Sequence, residues 1–226
     1  EGKVYFGTAG GRMVALGLAS GEKLWEFAAS VGGASISAGP AFVGNLVLFG
    51  ASDGTIWALD LSGKPAWEFL AKGAITIDPA IAEGRIYFGT ADRHFYCLRG
   101  ATGKKIWSRR LQGAPLHPAL VLDRGLAVAA SNSVLYFLSR RGGSILSWEV
   151  VPSRVIYELS AAGRLILLSA ASPEILLLDL PTGKRIGQYE ASSPLAAGAL
   201  WVSPFVVLIV EDEESGGQRM VMLRSR

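Results

Sequence analysis

Two residues of this 226-residue chain stand in equivalent places where chemistry could be done: Asp78 precedes Pro79, and His117 precedes Pro118. A carboxylate and an imidazole beside a channel could bind a ligand or pass a proton. The competing reading is that both cap strand ends and hydrogen-bond to backbone or water. Arg93 and His94 share a turn and offer a cation and an imidazole to a ligand, or simply an exposed histidine to solvent. Cys97 sits on an apolar run and reads as a packed core thiol. As the single cysteine it permits no internal disulfide and supplies no set of thiolates for a zinc or iron site. The acidic run from Glu211 to Glu214 could form a cation site. Adjacent strand residues point in different directions and seldom converge, so a solvated hairpin loop is the simpler reading.

Other catalytic signatures are missing. "GTAGGR" resembles a phosphate loop only superficially, because no Gly-Lys-Ser or Gly-Lys-Thr follows and no helix begins there. No nucleophile elbow, zinc-protease motif or Cys/His cluster occurs. The apolar runs "LILLSA", "EILLLDL" and "FVVLIV" are far shorter than the roughly 20 residues of a membrane-crossing helix. The chain lacks an initiating Met and a leader, and on that pattern it is expected to be a mature or trimmed product. Net charge is +3, unevenly placed: from Arg85 to Arg164 there are twelve Lys or Arg against four Asp or Glu. Such a sector can steer a charged partner, or merely solvate a rim. The imbalance is modest and carries no reading motif, so no nucleic-acid partner is expected.

The elements that must position these residues are repeats. "EGKVYFGTA" at the start of the chain returns as "EGRIYFGTA" at residues 83–91, and aligning on that echo gives five copies, beginning at Val4, Val47, Ile86, Leu126 and Leu165. A sixth fragment begins at Phe205. The period of about 40 residues belongs to propeller blades or helical hairpins. Each copy consists of short runs of Val, Ile, Tyr, Phe and Trp between Gly, Asn, Asp and Ser, which are strands and turns. Pro40, Pro79 and Pro118 each mark the start of a further strand upstream. Four antiparallel strands per repeat predict an all-β protein, a β-propeller of about six blades forming a single domain over residues 1–226. The first and last blades come out incomplete, at three strands each, for 22 strands in all. On that count either the ring is not fully closed or the chain is a segment of a longer propeller. With the strands of each repeat lettered A to D in chain order, the D–A connections and B–C turns would share one face, carrying Asp53, Asp92, Arg93 and His94, and the A–B and C–D turns would form an opposite, more basic face with Lys64, Lys104, Lys184 and Arg185.

The segments "IWALDLSGKPAW" (Ile56 to Trp67), "FYCLRGATGKKIW" (Phe95 to Trp107) and "LLLDLPTGKRI" (Leu176 to Ile186) resemble the pyrroloquinoline-quinone-like (PQQ-like) repeat family. The resemblance implies a tryptophan-docking motif in which Trp25, Trp67 and Trp107 pack against a neighbouring blade, each four residues after the turn glycine Gly21, Gly63 or Gly103. Two copies depart from it: Trp148 comes five residues after Gly143, and Gly187 stands where the last Trp belongs. Docking there is expected to be weaker or differently arranged.

What the resemblance implies about function is a non-enzymatic binding or scaffold propeller in an extracytoplasmic, periplasmic or cell-envelope compartment, holding a protein partner or a ligand on its loops. Any membrane association would come through an anchor or a partner. Within the family, envelope-assembly propellers and sensor propellers of membrane-bound kinases fit that description. The alternative is a quinoprotein dehydrogenase. Those enzymes hold pyrroloquinoline quinone and calcium and often carry an adjacent Cys pair, which one cysteine cannot supply, so neither cofactor is expected. The candidate ligand contacts at the channel mouth or loop face are Asp78, His117, Arg93 and His94.

Overall fold

Short β-branched and aromatic runs punctuated by glycine leave the backbone few options besides strands. In the computed structural model every regular element among the described residues is a β-strand, 22 in all, in sheets of three, four, four, four, four and three strands along the chain. Described are residues 2–29, 33–123, 125–162, 164–180, 182–193, 195–202, 205–212 and 216–224. Glu213 and Glu214 of the acidic run lie outside them. The chain divides into two compact units, Glu1–Val121 with Arg141–Gly143, and Leu122–Arg140 with Ser144–Arg226.

Unit 1 contains β1 (Lys3–Gly7), β2 (Arg12–Gly17) and β3 (Lys23–Ala28) as one sheet. A second sheet is formed by β4 (Ala41–Val43), β5 (Leu46–Gly50), β6 (Thr55–Asp60) and β7 (Pro65–Leu70). The third is formed by β8 (Ala80–Ala82), β9 (Arg85–Gly89), β10 (His94–Arg99) and β11 (Lys105–Arg110), and β12 (Leu120–Val121) follows. Pairing is antiparallel, with Leu48 opposite Ala58 and Tyr87 opposite Cys97. The prolines stand one or two residues before β4, β8 and β12 rather than at their first residue, where no ladder donor is needed. These short strands lie side by side, β8 touching both β4 and β12.

The echoed phrase now has a local cause. Glu83 and Gly84 both take positive φ, at 49° and 69°, which makes the two-residue hairpin between β8 and β9 a twisted turn that suits antiparallel strands. The glycine that ends each echoed strand has a different reason. A Cβ on Gly50 would lie 2.2 Å from Ile75 Cγ2, and one on Gly7 would lie 2.3 Å from Ile36 Cγ2. The connection leading to the next inner strand packs directly on that bare backbone. Sheets stacked in this way bury both strand faces: Val47, Leu48 and Phe49 are all fully buried. One core cluster joins Leu48, Ile56 and Ile75 of the second repeat to Ile86, Phe88 and Tyr96 of the third. Another joins Met13 and Ile36 to Phe49 and Leu59.

Unit 2 contains β13 (Gly125–Ala130), β14 (Val134–Ser139) and β15 (Ile145–Val150), paired in that order. A four-stranded sheet follows, of β16 (Ile156–Ala162), β17 (Leu165–Ala170), β18 (Glu174–Asp179) and β19 (Arg185–Glu190). The last sheet has three strands, β20 (Leu200–Val202), β21 (Phe205–Asp212) and β22 (Gly217–Arg224). The first strand of this sheet is short, at three residues. Leu195 makes only an isolated bridge to Val210. The core of this unit joins Leu167 and Ile175 to Leu195, Val206, Leu208 and Val210. The buried hydroxyl of Ser169 accepts the Ala199 amide at 2.9 Å, so its burial leaves no acceptor unpaired.

Candidate functional site

The repeated Trp motif builds its own geometry through a bulge. In every complete C–D strand pair the register shifts directly after the residue facing the motif position: after Ala15 opposite Trp25, Ala58 opposite Trp67 and Cys97 opposite Trp107. A bulge re-aims the side chain next to it. Here it sends each indole onto the C–D turn of the following repeat. Trp25 Nε1 donates to the Leu61 carbonyl at 3.1 Å, and Trp67 Nε1 donates to the Gly100 carbonyl at 3.0 Å. The ring then lies over a turn glycine: a Cβ on Gly63 would meet Trp25 Cδ2 at 2.7 Å, and one on Gly103 would meet Trp67 Cε3 at 2.5 Å. Trp107 repeats the contact on Gly143, whose Cβ would lie 2.5 Å from Cε3. Each of these glycines has a positive φ as well. Gly21 shares the positive φ, but nothing lies within 4 Å of its Cβ position, so its place in the motif rests on backbone conformation alone.

Small partners make room for each indole: Ala15, Ala58 and Cys97 are fully buried opposite it. The fourth repeat exchanges the two sizes. Phe137 stands opposite Ser147, four residues after Gly143, and the register shift follows Phe137. A Cβ on Gly183 would meet Phe137 Cε2 at 2.4 Å, so this ring now covers the next turn glycine from the other strand. Ser147 Oγ donates to the Thr182 carbonyl at 3.2 Å. Trp148, one place late, is 61% exposed. In the fifth repeat Leu177 faces Gly187 at the same register.

The motif aspartates hold the turns that receive the rings. Asp60 Oδ1 accepts from the Ser62 hydroxyl at 2.6 Å and from the amides of Ser62 and Lys64 at 2.8 and 3.0 Å. Asp179 accepts from the Thr182 hydroxyl at 2.7 Å and from Arg164 at 3.4 Å. These bonds hold both carboxyls below the ordinary range, with the Ser62 and Thr182 hydroxyls as the leading causes. Lys64, Lys104, Lys184 and Arg185 on these turns are exposed. Arg185 pairs with Glu149 at 3.2 Å.

The residues singled out for ligand chemistry make different local contacts. The Asp78 carboxylate accepts the Gly39 amide of the preceding inner-strand entry, as a strand cap would. His117 is half-buried beside Pro118, and among the described residues no hydrogen bond joins it to Asp78. His94 is more enclosed than an exposed turn histidine: its side chain is 19% accessible, and Nδ1 lies 2.7 Å from Asp92 Oδ2. Thr90 Oγ1 donates to the other Asp92 oxygen at 2.6 Å. Burial pushes the Asp92 carboxyl up, and the Thr90 hydroxyl and His94 outweigh it and hold the pKa low. Arg93 is exposed at φ 72°, its backbone closing the turn. Cys97 is fully buried in β10. Among the described residues no three His, Cys, Asp or Glu side chains come together to hold a metal ion.

The sequence reading missed the Phe137–Ser147 exchange, although counting four residues on from Gly143 would have located it. It also missed the clasp of Thr90, Asp92 and His94, which needs a turn conformation that spacing alone does not reveal.

Residues 1–189 match the family profile described as outer membrane protein assembly factor BamB. Outer membrane protein assembly factor BamB of Nitrosomonas eutropha is 24% identical over 70% of this chain and 37% of its own length. A polyvinylalcohol dehydrogenase of a Sphingopyxis species is 32% identical over 47% of this chain and 21% of its own length. The chain spans less than half the length of these curated relatives. Among solved structures, the computationally designed Ika8 protein superposes with a TM-score of 0.81 over 99% of this chain and 69% of its own, at 20% identity. BamB from Moraxella catarrhalis, a β-propeller, superposes with a TM-score of 0.59 over 100% of this chain and 80% of its own, at 17% identity.

Proposed function

Because this chain belongs to the PQQ-like repeat propeller family described as outer membrane protein assembly factor BamB, we propose that it is a non-enzymatic scaffold of the bacterial cell envelope that holds a protein partner on its turns. The match of residues 1–189 to that profile carries the reading. The disposition of reactive groups supports it. Asp78 is engaged by the Gly39 amide and Asp92 by Thr90 and His94, while the family's tryptophans and aspartates fix turns. Exposed on those turns are Lys64 and Lys104 in one unit and Lys184 in the other, side chains suited to an acidic protein surface.

Native co-purification from an envelope extract tests this. A partner retained by the wild-type chain and released by Lys64→Glu combined with Lys104→Glu is the expected result. Recovery of no partner at all contradicts it.

The second reading, a quinoprotein dehydrogenase, has the polyvinylalcohol dehydrogenase relative in its favour. A quinone with calcium needs converging oxygen ligands. Among the described residues no three His, Cys, Asp or Glu side chains converge, and the single, buried cysteine cannot form an adjacent pair. Titration with pyrroloquinoline quinone and calcium, read by dye-linked alcohol oxidation, is expected to give no stoichiometric binding and no turnover. Tight binding with turnover would reverse the assignment.

A further inference from the structure

Unit 2 has an open cavity of about 720 Å³ beside the turn that begins at Leu180. Its position is informative. In the second and third repeats this turn presents a carbonyl, Leu61 or Gly100, that accepts an indole N–H from the preceding repeat. Leu180 is the equivalent residue, three before Gly183 as Gly100 is three before Gly103. The local backbone agrees: Leu180 N donates to the Arg164 carbonyl at 2.8 Å, just as Gly100 N donates to the Gly84 carbonyl at 2.7 Å. The preceding strand β15, however, brings Ser147 here instead of Trp. Phe137 covers the glycine, but a phenyl ring has no N–H to give and fills only part of the space.

We infer that this cavity is a docking site for a tryptophan side chain supplied by a protein partner. Phe137, Leu122, Leu146 and Leu180 form apolar walls for the ring, and the Leu180 turn offers the acceptor that its counterparts in the same chain already use for indole. An indole combines a large apolar face with one donor, which is the combination this wall lacks. The volume leaves room for the backbone that carries the ring. Arg164 and Lys184 stand at the rim, where they can meet the partner's carbonyls.

The inference rests on the scaffold reading for the source of the side chain, while the cavity can be probed alone. N-acetyl-5-fluorotryptophanamide titrated into the full chain and followed by ¹⁹F NMR is expected to bind saturably. Ser147→Trp, which places the missing indole in the chain itself, should abolish binding. Leu146→Asp puts a carboxylate on the wall at a position 60% exposed, where folding is insensitive, and should weaken binding at least tenfold. Absence of saturable binding, or equal affinity in wild type and Leu146→Asp, overturns the inference. A captured partner whose crosslinks avoid this turn also overturns it and leaves the scaffold reading intact.

Discussion

The indole of Trp67 lies so close over Gly103 that a single methyl group on the glycine would sit 2.5 Å from Cε3 of the ring. The two residues come from successive repeats, and the Trp67 N–H reaches the Gly100 carbonyl of the same turn. One residue thus buries apolar area, satisfies its own donor and fixes the turn of the next repeat. The conformation of the basic turns is set by this packing, which ties the structural motif to the surface available for binding.

Phe137 takes over that task in the fourth repeat, and Trp148 does not. Phe137→Ala should cost about 3–5 kcal/mol, the usual range for a buried aromatic. Trp148→Ala, at a site 61% exposed, should stay within about 1 kcal/mol. Chemical denaturation of both variants checks this ordering.

Gly50 tests the other contact that recurs between repeats. Its φ is not positive, so Gly50→Ala acts only through the collision with Ile75, and should cost about 1–3 kcal/mol. In an Ile75→Ala background the 2.2 Å collision with Cγ2 is gone and only the 2.8 Å approach to the Cβ of residue 75 remains, so the same substitution should cost less.

The sequence made the architecture legible because each repeat states it redundantly. The 40-residue period, the strand count of three, sixteen and three, and the tryptophan spacing after Gly63 and Gly103 all follow from residue types. Ser147 shows what spacing alone loses: the sequence marks Trp148 as one place late without naming a replacement, whereas the strand register assigns the position to Ser147 and the ring to Phe137. The loop chemistry was less legible. Whether Asp78 faces a ligand or the Gly39 amide depends on a partner 39 residues away. His94 reads as exposed until the turn folds Asp92 against it.

Asp78→Ala removes the acceptor of the Gly39 amide and should lower stability by about 1 kcal/mol. Asp78→Asn, which keeps a carbonyl oxygen there, should recover most of it. Thermal melts of the two variants distinguish this cap from a ligand-binding role, in which stability would be unaffected.

Acid stability should report the turn aspartates. Asp60 and Asp179 have folded pKa values below the unfolded value of about 3.9, so their contribution is present in full above about pH 5 and is lost as pH falls through the folded values. Melting temperatures of the wild type and of Asp60→Asn with Asp179→Asn should differ at pH 6 and converge in acid. A gap that stays constant across that range would exclude this linkage.

The packing of each tryptophan on the next turn glycine is tested most directly by a double-mutant cycle on Trp67 and Gly103. Gly103→Ala in the wild-type chain should cost about 1–3 kcal/mol from ring collision and backbone strain. In the Trp67→Ala background the collision is gone and only the strain at φ +68° remains, so the two substitutions should couple by about 1 kcal/mol or more. Strict additivity of the two losses would contradict the account, because it would mean that the indole does not rest on that glycine.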